Sequence, residues 1–184
     1  MTSGPMWAAI AALQLFAALS ILDGMYVHLW RLRLPARPAS YREHLWHTAR
    51  AGLFAPVVAI VFAVPSAGVL LWLGVALAAV DQVLGFLDAR DERDSRADLG
   101  GLGRGEYVLH LALAGLHTAA LALALAARPA DAWDRSAPLV MADAPVLAGW
   151  LVGPLAGGVA VFALHVALAW RYRPGRTRPM GATA

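Results

Sequence analysis

The segment Ser40-Tyr-Arg-Glu-His-Leu-Trp-His-Thr-Ala-Arg50 opens a long hydrophobic run and carries three side chains that can bind a metal ion, Glu43, His44 and His47. Ser40 followed by Glu43 has the spacing of a helix-capping box, which predicts that a helix begins here. Glu43 and His47 are four residues apart, so a helix places both side chains on one face. This segment therefore predicts a hydrophobic helix whose first turns carry a polar, metal-capable face.

A second segment repeats this pattern later in the chain. Glu106 and His110 have the same Glu-x-x-x-His spacing, and they too stand where a hydrophobic run begins. We expect the two helix entrances to face one another near the same membrane surface.

The composition is typical of a polytopic membrane protein. The chain has 184 residues, of which 60% are hydrophobic, and its mean hydropathy is +0.60. A soluble domain is usually nearer half apolar. The chain contains no cysteine, which excludes disulfides, thiolate-bound zinc, iron–sulfur clusters and covalent c-type haem. Any bound metal must therefore use His, Asp or Glu.

Five hydrophobic runs are each long enough to cross a hydrocarbon core of ~30 Å. The first run lacks the basic flank of a signal peptide, so we predict a retained helix. The predicted fold is all-α, a single transmembrane bundle over residues 1–171 followed by a basic, disordered tail at 172–184. We place the five spans at about 6–30, 41–64, 67–87, 105–127 and 145–170.

The arginines predict the orientation of this bundle. Only Arg128 and Arg135 fall on one side of the predicted spans, and all the others lie on the opposite side. The positive-inside rule then places the N-terminus outside and the C-terminus in the cytoplasm. We expect an integral protein of a bacterial inner membrane, with the lipid bilayer as its partner. Because the basic residues flank the spans, they do not indicate nucleic-acid binding.

This topology brings scattered ionisable residues to one end of the bundle. Every span contributes a carboxylate or an imidazole within one to two turns of the cytoplasmic surface, and buried ionisable groups in membrane spans are usually functional. In span order these residues are Asp23 and His28; Glu43, His44 and His47; Asp81 and Asp88; Glu106 and His110; and His165. We expect water to reach Glu43 and Glu106. We also expect the charged run at 88–98 to be solvated, although a helix continuing through it would let Asp91 or Glu92 reach the cluster.

The pattern favours a metal site that holds either one ion or two. Four-helix di-iron proteins use bridging glutamates and Glu-x-x-His pairs, and here the pairs are one residue longer. Glu43, His47, Glu106 and His110 are the predicted core ligands. The remaining candidates for ligand or supporting positions are Asp23, His28, His44, Asp88 and His165.

The metal would determine the chemistry. Iron would support hydroxylation, desaturation or oxidation of a lipid-like or quinone-like substrate, and zinc would support hydrolysis. We predict a metal-dependent membrane enzyme, an oxidoreductase with iron in preference to zinc.

Two other classes stay open. Transmembrane histidines can hold haem or a pigment, with His117, or His110 paired with His47 or His165, as candidate ligands. The chain would otherwise be a structural accessory subunit of a membrane complex. Its buried charges would then be paired with one another, for example Asp23 or Asp81 with Arg31, Arg50 or a histidine. An enzyme requires a cavity beside the predicted ligands, whereas an accessory subunit requires only that the charges be paired.

Overall fold

The computed structural model describes residues 4–141 and 148–175, and the long elements within these ranges are all helices. Each of the five spans is long and apolar enough to cross a membrane, which confirms the predicted helical class. The helices are α1 (Gly4–Ile21), α2 (Tyr41–Val58), α3 (Gly68–Ser95), α4 (Arg104–Ala126) and α5 (Ala148–Arg171). The start predicted for span five and most of the predicted tail lie outside the described residues.

Two helices change their winding before they end. α1 continues directly into the π-helical segment Leu22–Arg31, and α2 continues into a second π-helical segment, Ala59–Ala63. The N–H of Leu32 accordingly donates to the carbonyl of Val27, five residues earlier, at 2.9 Å. A π-helical turn brings residues five apart above one another, so the polar side chains of the first segment have a different register from that of an α-helix.

The helices form two packed groups. α1 packs along α4, while α2 packs against both α3 and α5. The apolar core lies toward the beginning of α1, the ends of α2 and α4, and the beginning of α5. Its fully buried side chains include Ala9, Leu13, Val61, Ala124 and Leu151. Because this end is filled by apolar side chains, the polar groups collect at the opposite end.

The connection after α2 is closed by polar groups. The Arg128 guanidinium donates to the carbonyl of Val61 at 2.8 Å and to that of Val64 at 3.0 Å, at the end of the second π-helical segment. The Val64 carbonyl also accepts a bond from the Ser66 N–H at 2.8 Å. Burial lowers the pKa of Arg128 from its ordinary value. Gly68 begins α3 with φ of +54°, and a Cβ there would lie 2.4 Å from the carbonyl oxygen of Ala137. Only glycine fits this turn without a shift of the backbone.

α3 extends two turns beyond its predicted span, and one face of its last turns is buried. The expectation that the charged run at 88–98 is surface is wrong for five of its residues. Asp88, Asp91, Glu92, Ser95 and Arg96 are all buried. These side chains point toward the starts of α2 and α4, where they find hydrogen-bond and ion-pair partners.

The predicted capping box is also replaced by other contacts. Ser40 does precede α2 as its N-cap residue, but its hydroxyl makes no capping bond. It donates instead to the carbonyl of Ser95 at 3.3 Å. The start of α2 is therefore held by the end of α3.

Candidate metal centre

Polar side chains from the first π-helical segment, α2, α3 and α4, together with Arg96 just after α3, meet at the end of the bundle opposite the apolar core. We refer to them as the His28 cluster: Asp23, His28, Glu43, His47, Asp88, Glu92, Arg96, Glu106 and His110. Within it, two groups of three place their ligand atoms within 4.8 Å of one another. Both groups include His28, so this residue lies at the centre of the cluster.

The π-helical winding explains why His28 can occupy this position. Asp23 and His28 are five residues apart, and on an α-helix they would point about 140° apart. In the π-helical segment His28 Nε2 lies 3.5 Å from Asp23 Oδ1. Both side chains therefore face the interior from a single turn.

The first triad consists of His28, Glu43 and His47. His47 Nε2 lies 3.6 Å from Glu43 Oε1, and it lies 3.5 Å from Oδ1 of the buried Asp88. Within residues 4–141 and 148–175, neither His47 Nε2 nor Asp88 Oδ1 forms a hydrogen bond. Ligands about 2.0–2.2 Å from a tetrahedral ion lie about 3.3–3.6 Å from one another, so these separations suit metal ligands better than hydrogen-bond partners.

The second triad consists of Asp23, His28 and His110. His110 Nε2 lies 3.2 Å from Asp23 Oδ2. Its other ring nitrogen, Nδ1, lies 3.0 Å from Glu92 Oε1, at an angle that forms no hydrogen bond. His110 therefore lies between two carboxylates, with one of them close to each of its ring nitrogens.

Arg96 crosses the cluster between the two predicted glutamate ligands. Its Nη1 and Nη2 atoms donate to the two oxygens of Glu43 at 2.6 and 3.0 Å. Its Nε and Nη2 atoms donate to Glu106 Oε1 at 2.8 and 2.6 Å. The Arg96 side chain is 1% exposed. Burial alone would lower the pKa of Arg96, but the bonds and charges of Glu43 and Glu106 raise it above its ordinary value.

The glutamates are therefore not solvated as the sequence suggested. The Glu43 side chain is 1% exposed and that of Glu106 is 7% exposed. Glu43 also accepts a hydrogen bond from the Ser95 hydroxyl. Both carboxylates are covered by the end of α3 and by Arg96 after it, because α3 extends beyond the predicted span.

Two cavities adjoin the first triad. One has a volume of about 10 Å³ and is bordered by His28, Glu43 and His47, together with His44 and His165. That volume suits a single water molecule or ion. The other has a volume of about 320 Å³, is more open, and is lined by Tyr41, Arg42, Glu43, Asp91 and Asp94 among others. Glu43 thus borders both spaces.

His44 and His165 stand together at the edge of the cluster. Their rings stack with centroids 4.9 Å apart, and the ring centroids of His47 and His165 are 6.1 Å apart. The Nδ1 atom of His165 is buried and has no hydrogen-bond partner among the residues that the structure describes. His44 on α2 and His165 on α5 thus form part of the wall of the small cavity.

A second polar group continues from the cluster toward the middle of the bundle. Arg50 binds Asp88 at 3.2 Å and Asp81 at 3.3 Å, as the accessory-subunit alternative predicted for Asp81. His117 Nδ1 lies 3.3 Å from Asp81 Oδ2. The ring of Phe16 stacks on that of His117 at 4.6 Å. His117 is therefore separate from both triads, and an aromatic ring covers one of its faces.

The structure brings together most of the residues predicted from the sequence. Each Glu-x-x-x-His pair lies in the cluster, with His28 between them. Sequence reasoning missed Arg96 and Ser95, because it assigned them to a solvated run, and it named Glu92 as a residue that a continuing helix would bring to the cluster. One signal was present, since two glutamates at the same depth require a cation nearby and Arg96 lies between the two helix entrances.

The chain matches no known protein family, and neither a curated protein nor a solved structure is similar to it.

Proposed function

We propose that the protein is a metal-dependent membrane enzyme whose ion is held by His28, Glu43 and His47. The observation that carries this proposal is the ion-sized cavity bordered by all three residues. The separation of 3.6 Å between His47 Nε2 and Glu43 Oε1 supports it. Asp88, whose Oδ1 lies 3.5 Å from His47 Nε2, is a candidate for a further ligand, and His44 and His165 complete the wall of the cavity.

The open cavity of about 320 Å³ is the proposed substrate site. It borders Glu43 and lies between the start of α2 and the end of α3, at the polar end of the bundle. A lipid-like or quinone-like substrate would place its polar part here and leave its tail in the bilayer. The orientation proposed from the arginines places this cavity on the cytoplasmic side.

The donor set accommodates iron or zinc. A bound ion would polarise a substrate oxygen or activate water or oxygen, according to its identity. The residues of this chain would hold the ion, position the substrate beside Glu43 and exclude lipid from the site. The second triad, with Asp23 and His110, supports His28 and is a candidate for a second ion.

A structural accessory subunit is the second candidate, and one observation favours it. Arg96 already forms ion pairs with both Glu43 and Glu106, so each of these carboxylates has a partner without any ion. In that case the contacts of Arg96, Arg50 and the histidines would serve only to join the helices. Haem binding has weaker support, because Phe16 stacks on His117.

Elemental analysis of the full chain, purified in mild detergent without chelators, separates these candidates. We expect about one iron or zinc ion per chain, its loss in His47→Ala and its retention in His117→Ala, which removes a buried histidine outside the triads. The absorption spectrum is recorded on the same samples. A Soret band would replace this proposal with haem binding, and the absence of both metal and chromophore would leave the accessory role.

A further inference from the structure

The geometry points to Arg96 as the residue that determines which metal ion the site accepts. We infer that Arg96 withholds carboxylate oxygens from the ion and so selects a zinc-type, imidazole-preferring cation over hard cations such as Mn²⁺ and Mg²⁺. This inference rests on the proposed metal site and extends it to the class of ion.

The oxygens of Glu43 are the first part of the argument. Oε2 accepts bonds from Arg96 Nη1 and from the Ser95 hydroxyl, and Oε1 accepts a bond from Arg96 Nη2. A carboxylate oxygen has two lone-pair positions. One position therefore remains at Oε1, the oxygen that faces His47. Glu43 can offer the ion a single oxygen, and it cannot bind through both oxygens or bridge two ions while Arg96 is in place.

Glu106 is occupied in the same way. Its Oε1 atom accepts both Arg96 Nε at 2.8 Å and Arg96 Nη2 at 2.6 Å. That oxygen is the one nearest His28, at 3.7 Å. Arg96 thus occupies Oε1 of Glu106, the oxygen that would otherwise face the ion.

The donors that remain are mainly imidazoles. His28 and His47 belong to the first triad, and His44 and His165 border the same small cavity. Imidazole nitrogens favour zinc and copper, whereas carboxylates and water favour magnesium, calcium and manganese. The carboxylate oxygens that stay available beside them are Glu43 Oε1 and Asp88 Oδ1, which lies 3.5 Å from His47 Nε2. Arg96 Nη2 also lies 3.4 Å from His28 Nε2, a longer contact than its bonds to either glutamate. With Arg96 in place, imidazoles therefore outnumber the available carboxylates around the small cavity.

Charge leads to the same conclusion. Arg96 supplies one positive charge to two buried glutamates, and no other arginine within residues 4–141 and 148–175 forms an ion pair with either of them. Without it, two carboxylates would lie side by side in a low-dielectric interior, which is unfavourable unless a cation replaces the guanidinium. A divalent ion with a preference for oxygen would then fill the position. Removal of Arg96 should convert the cluster into a manganese site.

The test measures Mn²⁺ binding to the detergent-solubilised, metal-stripped full chain, using the electron paramagnetic resonance signal of free Mn²⁺. Wild type should bind Mn²⁺ weakly, and Arg96→Met should bind it at least about tenfold more tightly, because two carboxylates become available. Arg93→Met is the matched control, since Arg93 is an exposed arginine in the last turn of α3. The control should bind Mn²⁺ as weakly as wild type.

Arg96→Lys keeps the inference testable if Arg96→Met does not fold. Lysine keeps the positive charge but lacks the planar fork of five donors, so it leaves carboxylate oxygens free and should bind Mn²⁺ more tightly than wild type. Equal Mn²⁺ affinities of wild type and of a folded Arg96→Met or Arg96→Lys would overturn the inference. If zinc binds to wild type but these variants give that result, the metal site stands without the role of Arg96. A wild type that binds neither metal would overturn both.

Discussion

Replacement of Arg96 by methionine should destabilise the protein more than replacement of either partner, Glu43 or Glu106, by glutamine. Arg96 makes four hydrogen bonds to Glu43 and Glu106, and its side chain is 1% exposed. Removal of one partner from a buried ion pair costs about 3–5 kcal/mol, because an uncompensated charge stays buried. For a chain of this size, that corresponds to a fall in melting temperature of roughly 6–20 °C.

The assay is the fraction of monodisperse protein that remains after heating in detergent, followed by size-exclusion chromatography. Arg93→Met should lie within about 0.5 kcal/mol of wild type. The triple variant Arg96→Met, Glu43→Gln, Glu106→Gln should be more stable than Arg96→Met alone, because it leaves no unpaired charge. The reasoning would be refuted if Arg96→Met melted with wild type, or if the triple variant were less stable than the single variant.

Three further predictions use the same preparations. Gly68→Ala should lower the free energy of unfolding by at least ~2 kcal/mol, because its Cβ would meet the carbonyl of Ala137 at a positive φ. Gly115→Ala should raise it by up to ~1 kcal/mol, because a Cβ there would meet nothing within 4 Å. Equal melting temperatures of the two variants would contradict this. Arg128→Met should destabilise the fold by about 1–3 kcal/mol, because the Val61 carbonyl loses its guanidinium donor; an unchanged melting temperature would show that water replaces the guanidinium. His117→Ala should keep the metal content of wild type, and loss of the metal would extend the site to the middle of the bundle.

The positions of the helices could be predicted because the physical requirement is simple. A run of about twenty apolar residues must bury its backbone polar groups in a helix, whatever its neighbours are. The meeting of Glu43, His47, Glu106 and His110 followed from the alternation of the spans. Their shared depth required no knowledge of which helices pack together.

The centre of the cluster could not be predicted in the same way. Its position depends on the π-helical segment, which turns Asp23 and His28 to one face, and periodicity analysis assumes α-helical winding throughout. The burial of Arg96 depends on how the end of α3 packs against the starts of α2 and α4. A charged run is usually solvated, and only the tertiary contacts showed that this one is not.

The zinc-loaded protein offers the most direct test of the central claim, through X-ray absorption at the zinc edge. The account predicts a first shell of nitrogen and oxygen at about 2.0–2.2 Å, with the multiple scattering of at least two imidazoles, and its loss in His47→Ala. A spectrum without imidazole scattering, or one unchanged in His47→Ala, would contradict the assignment of the ion to His28, Glu43 and His47.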